Sequence, residues 1–277
     1  MRQFLKYEFK FNWKQFVFSF SLIILSFILM TIFALFVKNI EDPGPILGIV
    51  YSNIVILIGG SMGVGAVSFV INLIRSFYNS IFSDEGYLTL SFPKTTDSLL
   101  VSKIIANFIW VVSFIISFVI GLTILYFGLG GTTNVLFEMF TFIFDLFEGY
   151  YITIPFHIIN GIVDILASFV MLLLAFSIIN VGNIRRAKVF LGILFFVIMS
   201  YCLSLLDTIS SFLAFGFAIN EMGELVFTYG SAFGNIFLDS GATAYLFNFT
   251  TFIIHIGVVI GGYILLRHLI KNKLEME

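Results

Sequence analysis

The chain has 277 residues, 60% of them hydrophobic and only 11% charged, with a mean hydropathy of +1.08. Soluble domains carry about a quarter charged residues, so this composition excludes an ordinary soluble enzyme. A net charge of −2 and a single cysteine, Cys202, exclude a nucleic-acid-binding charge excess, an intrachain disulfide and a CxxC metal motif. Apolar runs longer than about 18 residues recur, and they are continuous rather than alternating, which points to membrane-spanning helices and away from a β-barrel. The 37 Phe suit lipid-facing and interhelical packing and name no ligand.

At the N-terminus Arg2, Lys6, Lys10 and Lys14 recur at every fourth position, and Leu5, Phe9 and Trp13 do the same one position along. On a helix this sets a basic stripe beside an apolar, aromatic one, the pattern of an interfacial amphipathic helix over residues 1–15 on anionic lipid headgroups. The alternative, a signal-peptide n-region, fails on the next run, Phe16 to Val37, which is too long and lacks an A-x-A-like cleavage site. That run is the first of six spans. The others are expected at about Ile46–Ile74 (entered through Pro43-Gly44-Pro45), Ile104–Phe127, Ile158–Ile179, Val189–Leu206 and Leu246–Leu266. Two semi-apolar segments, 128–157 and the Gly- and Phe-rich 207–245, are expected to hold short helices on or dipping into the membrane.

Lys and Arg orient the chain. Arg2, Lys6, Lys10 and Lys14, then Arg75, Lys94 and Lys103, then Arg185, Arg186 and Lys188, then Arg267, Lys271 and Lys273 all fall on one side of a six-span layout. The opposite side has Lys38 alone, against Glu41, Asp42, Glu138, Asp145, Glu148, Glu221, Glu224 and Asp239. The expected fold is therefore an all-α polytopic membrane protein, a single domain over 1–277 with six transmembrane helices and both termini cytosolic.

Three constellations carry candidate chemistry. The first is the cytosolic loop within 75–103. Asp84-Glu85-Gly86 is a turn signal, and Pro93 breaks any ladder. Thr95-Thr96-Asp97 offers N-caps for the third span. Between them Tyr87, Leu88, Leu90 and Phe92 are apolar residues in a water-compatible segment, the mark of a binding surface. The second is Gly59, Ser61, Gly63 and Gly65 in the second span, small residues four apart that allow close helix approach, within the subunit or across a dimer. Gly59-x-Ser61-x-Gly63 also admits an intramembrane serine hydrolase with His255 as base, although the strand-to-helix elbow of such enzymes is missing. The third is Asp164, Asp207 and His255, ionisable groups in or near spans, His255 about 14 Å into the sixth. Such groups are costly unless paired, so they line a path, pair with one another, or serve a proton-coupled secondary transporter. Inverted repeats, which would favour that last alternative, are not evident. The 180–188 loop, with Asn180, Asn183, Arg185 and Arg186, reads as a second loop contact or as topology charge. No H-E-x-x-H metal motif occurs.

The run Asp84-Glu85-Gly86-Tyr87-Leu88-Thr89-Leu90-Ser91-Phe92-Pro93, followed by Leu99-Leu100-Val101-Ser102-Lys103, resembles a stretch common in type-2 ABC export permeases of Gram-positive bacteria. Those carry D/E-G-Y-L-x-x-x-x-P, a polar turn, then L-L-x-S-K. The likeness extends to the six-span layout and departs at the turn, where many relatives have Arg and this chain has Lys94-Thr95-Thr96. The resemblance implies a permease subunit in a bacterial plasma membrane, not itself an enzyme, whose loop forms a coupling helix in a cleft of a cytosolic ATPase. It implies a second permease subunit as partner, membrane lipid around both, and ATP with Mg bound by the ATPase rather than by this chain. It also implies short helices over 207–245 that return into the outer leaflet. The residues agree on one point: there is no G-x-x-x-x-G-K-[ST] phosphate loop, so energy from ATP must come through another protein. An amphipathic or hydrophobic cargo, such as an antimicrobial peptide, lipid or drug-like compound, suits nearly charge-free spans.

Overall fold

A computed structural model describes residues 2–38, 45–82, 96–128, 154–182, 187–210, 214–219, 225–230 and 244–271. Six helices are long and apolar enough to cross a membrane. They are α1 (Arg2–Lys38), α2 (Pro45–Phe82), α3 (Thr96–Gly128), α4 (Ile154–Val181), α5 (Lys188–Ser210) and α6 (Phe249–Leu269). The polytopic helical fold is as expected, and the last three spans lie within about four residues of their sequence positions, whereas α1 and α3 begin 14 and 8 residues earlier and α2 ends 8 residues later than expected. Two compact units divide the chain: Met1–Asn79 with Ser98–Thr141, and Ser80–Asp97 with Phe142–Glu277.

α1 is one unbroken helix of 37 residues. Neither Gly nor Pro falls within it, so the basic N-terminal stretch runs straight into the first span. At 1.5 Å per residue it is about 55 Å long, well beyond a hydrocarbon slab of about 30 Å, which leaves its first turns outside that slab. A third face of α1, absent from the stripes read above, is the buried one: Glu8, Asn12, Phe16, Ser19 and Ile23. In the first unit Phe16 of α1, Phe69 of α2 and Trp110 of α3 form the core, with Phe16 stacked on Trp110 at 4.7 Å. Beside this core runs a polar seam between α1 and α2. Asn12 Nδ2 donates to Ser76 (3.1 Å), Asn72 Nδ2 donates to the Gln15 carbonyl (3.0 Å), Ser19 Oγ donates to Ser68 (3.0 Å), and the Ser26 and Ser61 hydroxyls pair at 2.6 Å. Where lipid is as apolar as leucine, such bonds and close packing are what hold helices together.

In the second unit α4 is the central helix. Of its most apolar stretch 61% is buried, against 6% to 22% in the other spans. α5 and α6 pack on it. Gly192 gives α5 room for the Phe176 ring, and Gly262 gives α6 room for Val170, whose Cγ1 would lie 2.7 Å from an added Cβ.

Between α5 and α6 the expectation of short helices is corrected. The described residues there form an antiparallel three-stranded sheet in the order β2-β1-β3, with β1 Ala214–Ile219, β2 Leu225–Gly230 and β3 Ala244–Asn248. The strand segments AFGFAI, LVFTYG and AYLFN are five or six residues long and rich in aromatic or branched residues. That length and composition favour strand over helix. β3 also takes residues assigned above to the start of the sixth span. The helix begins instead at Phe249, where Asn248 in an extended conformation (φ −109°) accepts the Thr250 N–H at 2.9 Å. A Phe cluster fastens the sheet to the helices: Phe249 lies 4.9 Å from Phe247, 5.8 Å from Phe217 and 5.7 Å from Phe156 between ring centroids.

Candidate functional site

The three intramembrane ionisable residues come together in the second unit. α4 carries Asp164 nearly three turns from its start. α5 carries Asp207 in its last turn, and α6 carries His255 in its second turn. His255 is buried, and both ring nitrogens are engaged: Nδ1 with Asp164 Oδ1, and Nε2 with both Asp207 oxygens at 3.1 Å. Asn160, one turn before Asp164 on α4, donates to the other Asp164 oxygen at 3.0 Å. One turn beyond the cluster the Ser210 and Thr251 hydroxyls pair at 3.0 Å and tie α5 to α6 a second time. The structure brings the three together, the pairing that the sequence allowed.

The arrangement limits the chemistry. Asp164 and Asp207 meet opposite edges of one imidazole, so the ring stands between the two carboxylates and leaves no ring nitrogen open to a metal. Among the described residues no group of His, Cys, Asp and Glu is arranged to hold a metal ion. Both nitrogens of His255, the base in the serine-hydrolase alternative, face carboxylates. Ser61 Oγ is itself engaged by Ser26 and by the carbonyl of Ile58 in its own helix.

The small residues of α2 divide between two directions. Gly65 packs against α1, where an added Cβ would lie 2.9 Å from Ile23 Cγ1. Gly59, Gly60 and Gly63 have nothing within 4 Å of such a Cβ, so the GxxxG pair faces away from the other helices of its own unit. Val64, Val67 and Ile71 continue that uncovered face.

Asp84, Glu85, Gly86, Tyr87, Leu88, Leu90, Phe92 and Pro93 lie outside the described residues, as do Asn183, Arg185 and Arg186. The flanks of the 82–97 stretch, Phe82 and Asp97, are described, and both belong to the second unit. Phe82 packs on Phe176 of α4, ring centroids 6.2 Å apart. Asp97 accepts hydrogen bonds from Arg267 Nη2 (2.9 Å) and from the Tyr263 hydroxyl (3.1 Å), both on α6. Asp97 also sits in the first turn of α3, where a carboxylate opposes the helix dipole.

A buried ion pair in the first unit went unforeseen. Lys103, counted above as topology charge, is 1% exposed and meets Glu8 Oε1 at 3.0 Å, while Asn12 donates to Glu8 Oε2 at 3.2 Å. One signal was available: Glu8 is the sole acid among the first forty residues, one helical turn before Asn12.

No protein-family model, curated protein or solved structure matches the chain. Fold and composition define its class, a polytopic helical membrane protein with a small sheet between its last two spans.

Proposed function

We propose that the chain is the membrane permease of an ATP-driven exporter, with the 82–103 loop as the docking element for a separate cytosolic ATPase. The observation that carries this reading is the anchoring of both flanks of the loop. Phe82 is held by α4 and Asp97 by α6, so a push on the loop would reach the helices that build the Asp–His–Asp cluster. The Lys and Arg distribution supports a cytosolic loop, and Tyr87, Leu88, Leu90 and Phe92 supply an apolar docking surface. The uncovered face of Gly59, Gly63, Val64 and Val67 suits a second permease subunit, since small residues let two helices approach closely. In a bacterium the site of action would be the plasma membrane. An amphipathic or hydrophobic cargo would pass between the two permease subunits.

The test is affinity purification in mild detergent. A stoichiometric ATP-binding subunit should co-purify and be lost on Tyr87→Ala with Leu88→Ala. Transport by the chain alone in vesicles, driven only by a proton gradient, would sink the proposal.

A further inference from the structure

The Asp164–His255–Asp207 cluster needs one proton more than its ordinary components supply. A neutral imidazole has a single N–H; its other nitrogen is an acceptor. Here both nitrogens stand within hydrogen-bond reach of carboxylate oxygens, which when ionised can accept but not donate. With a neutral ring and two carboxylates, one contact would set a lone pair against a negative oxygen in an apolar setting, where such opposition is least screened. The closed geometry is satisfied when each nitrogen carries a hydrogen.

We propose that this cluster is a proton-binding switch: one proton taken from the medium holds α5 and α6 together, and its loss parts them. The balance is simple. Neutral His255 gains one proton and becomes a cation donating to Asp164 and to Asp207, and releasing that proton restores the neutral ring. Among the described residues the titratable groups that face the ring are Asp164 from α4 and Asp207 from α5, while β1, which also packs on α6, contains none. Asn160 fixes Asp164 from the far side.

The contact that yields is the one to Asp207. α6 packs along α4 far more extensively than along α5, so His255 and Asp164 stay together when the ring is neutral. The remaining nitrogen then faces Asp207 as an acceptor, a contact that no longer holds α5 to α6, although the Ser210–Thr251 pair nearby persists. Closure is therefore present at low pH and lost as pH rises through the titration of the cluster. The device does not depend on how the chain is powered.

The experiment uses the full chain in lipid nanodiscs, with spin labels on the native, exposed Cys202 of α5 and on Ile260→Cys, an exposed position of α6. The label distance should lengthen by several ångströms as pH rises from about 5 to about 10, a range that spans the change of charge of a histidine with carboxylate neighbours. Nitrogen NMR of the imidazoles, with His255 identified by its disappearance in His255→Asn, should show two N–H groups on that ring in the short state and one in the long state. Asp207→Asn should stay short throughout, because its amide can donate to a neutral ring nitrogen. An unchanged distance in the parent protein, opening in Asp207→Asn like the parent, or opening without a change at His255 would each overturn the switch. So would closure driven by Na⁺ or Zn²⁺ at fixed pH, which would make the ligand a metal cation.

Discussion

Lys103 of α3 and Glu8 of α1 form an ion pair of 3.0 Å in which the lysine is 1% exposed. Removing one member of such a pair leaves an uncompensated charge and costs about 3–5 kcal/mol, whereas an apolar pair of similar volume is often neutral or stabilising. Lys103→Met or Glu8→Leu alone should lower stability by about that amount. Lys103→Met with Glu8→Leu should recover most of it. Chemical unfolding in mixed micelles, run as a double-mutant cycle, measures the coupling, and additive single effects would show that the charges do not depend on each other.

The helix approaches at Gly121 and Gly192 leave no room for a larger side chain. A Cβ at Gly121 would collide with the Phe27 ring, and one at Gly192 with the Phe176 ring. Gly121→Val and Gly192→Val should each cost about 1–3 kcal/mol through overpacking. Thermal unfolding in detergent should show the loss, with partial rescue of Gly192→Val by Phe176→Leu. The same change at Gly48, which has nothing within 4 Å, should be tolerated.

Asn248 closes β3 and opens α6 in one residue, through its bond to the Thr250 N–H. Asn248→Ala should cost about 1 kcal/mol, the usual loss at an N-cap, and Asn248→Asp should retain most of the stability. Hydrogen exchange over the first turn of α6 reads the effect, and unchanged protection in Asn248→Ala would contradict it.

The spans were legible because each is a long apolar run, and length against bilayer thickness decides that question without any tertiary contact. Asp164, Asp207 and His255 were legible singly, since an ionisable group in such a run is conspicuous. Their meeting was not: it joins residues 91 and 48 positions apart and depends on how α5 and α6 lie along α4. The strands escaped notice because periodicity alone does not separate a short apolar run among glycines from a short helix; the signal lay in length and in aromatic or branched content, which favour a strand. Lys103 misled for a different reason. A cation at the end of a span satisfies the topology rule whether it faces water or a buried glutamate.

The open glycines of α2 separate assembly from folding. Gly63→Leu adds a side chain where nothing of its own unit stands within 4 Å, so monomer stability should hold within about 0.5 kcal/mol. If this face carries a second permease subunit, the same change should shift the particle from dimer to monomer by sedimentation in detergent. An undisturbed dimer would place the partner on another face.

Asp97 and Arg267 make the final comparison. Their side chains are 38% and 53% exposed, so the pair should contribute under about 1 kcal/mol to stability. Its value would lie in transmission, because it fixes the end of the proposed docking loop to the last turn of α6. Asp97→Ala or Arg267→Ala should leave folding and ATPase co-purification intact while transport per ATP hydrolysed falls several-fold. The exchange Asp97→Arg with Arg267→Asp should restore part of it by re-forming the pair with its polarity reversed. Transport and hydrolysis measured together in proteoliposomes decide the matter. Equal coupling in all four proteins would mean that Asp97 acts only on the helix that it begins.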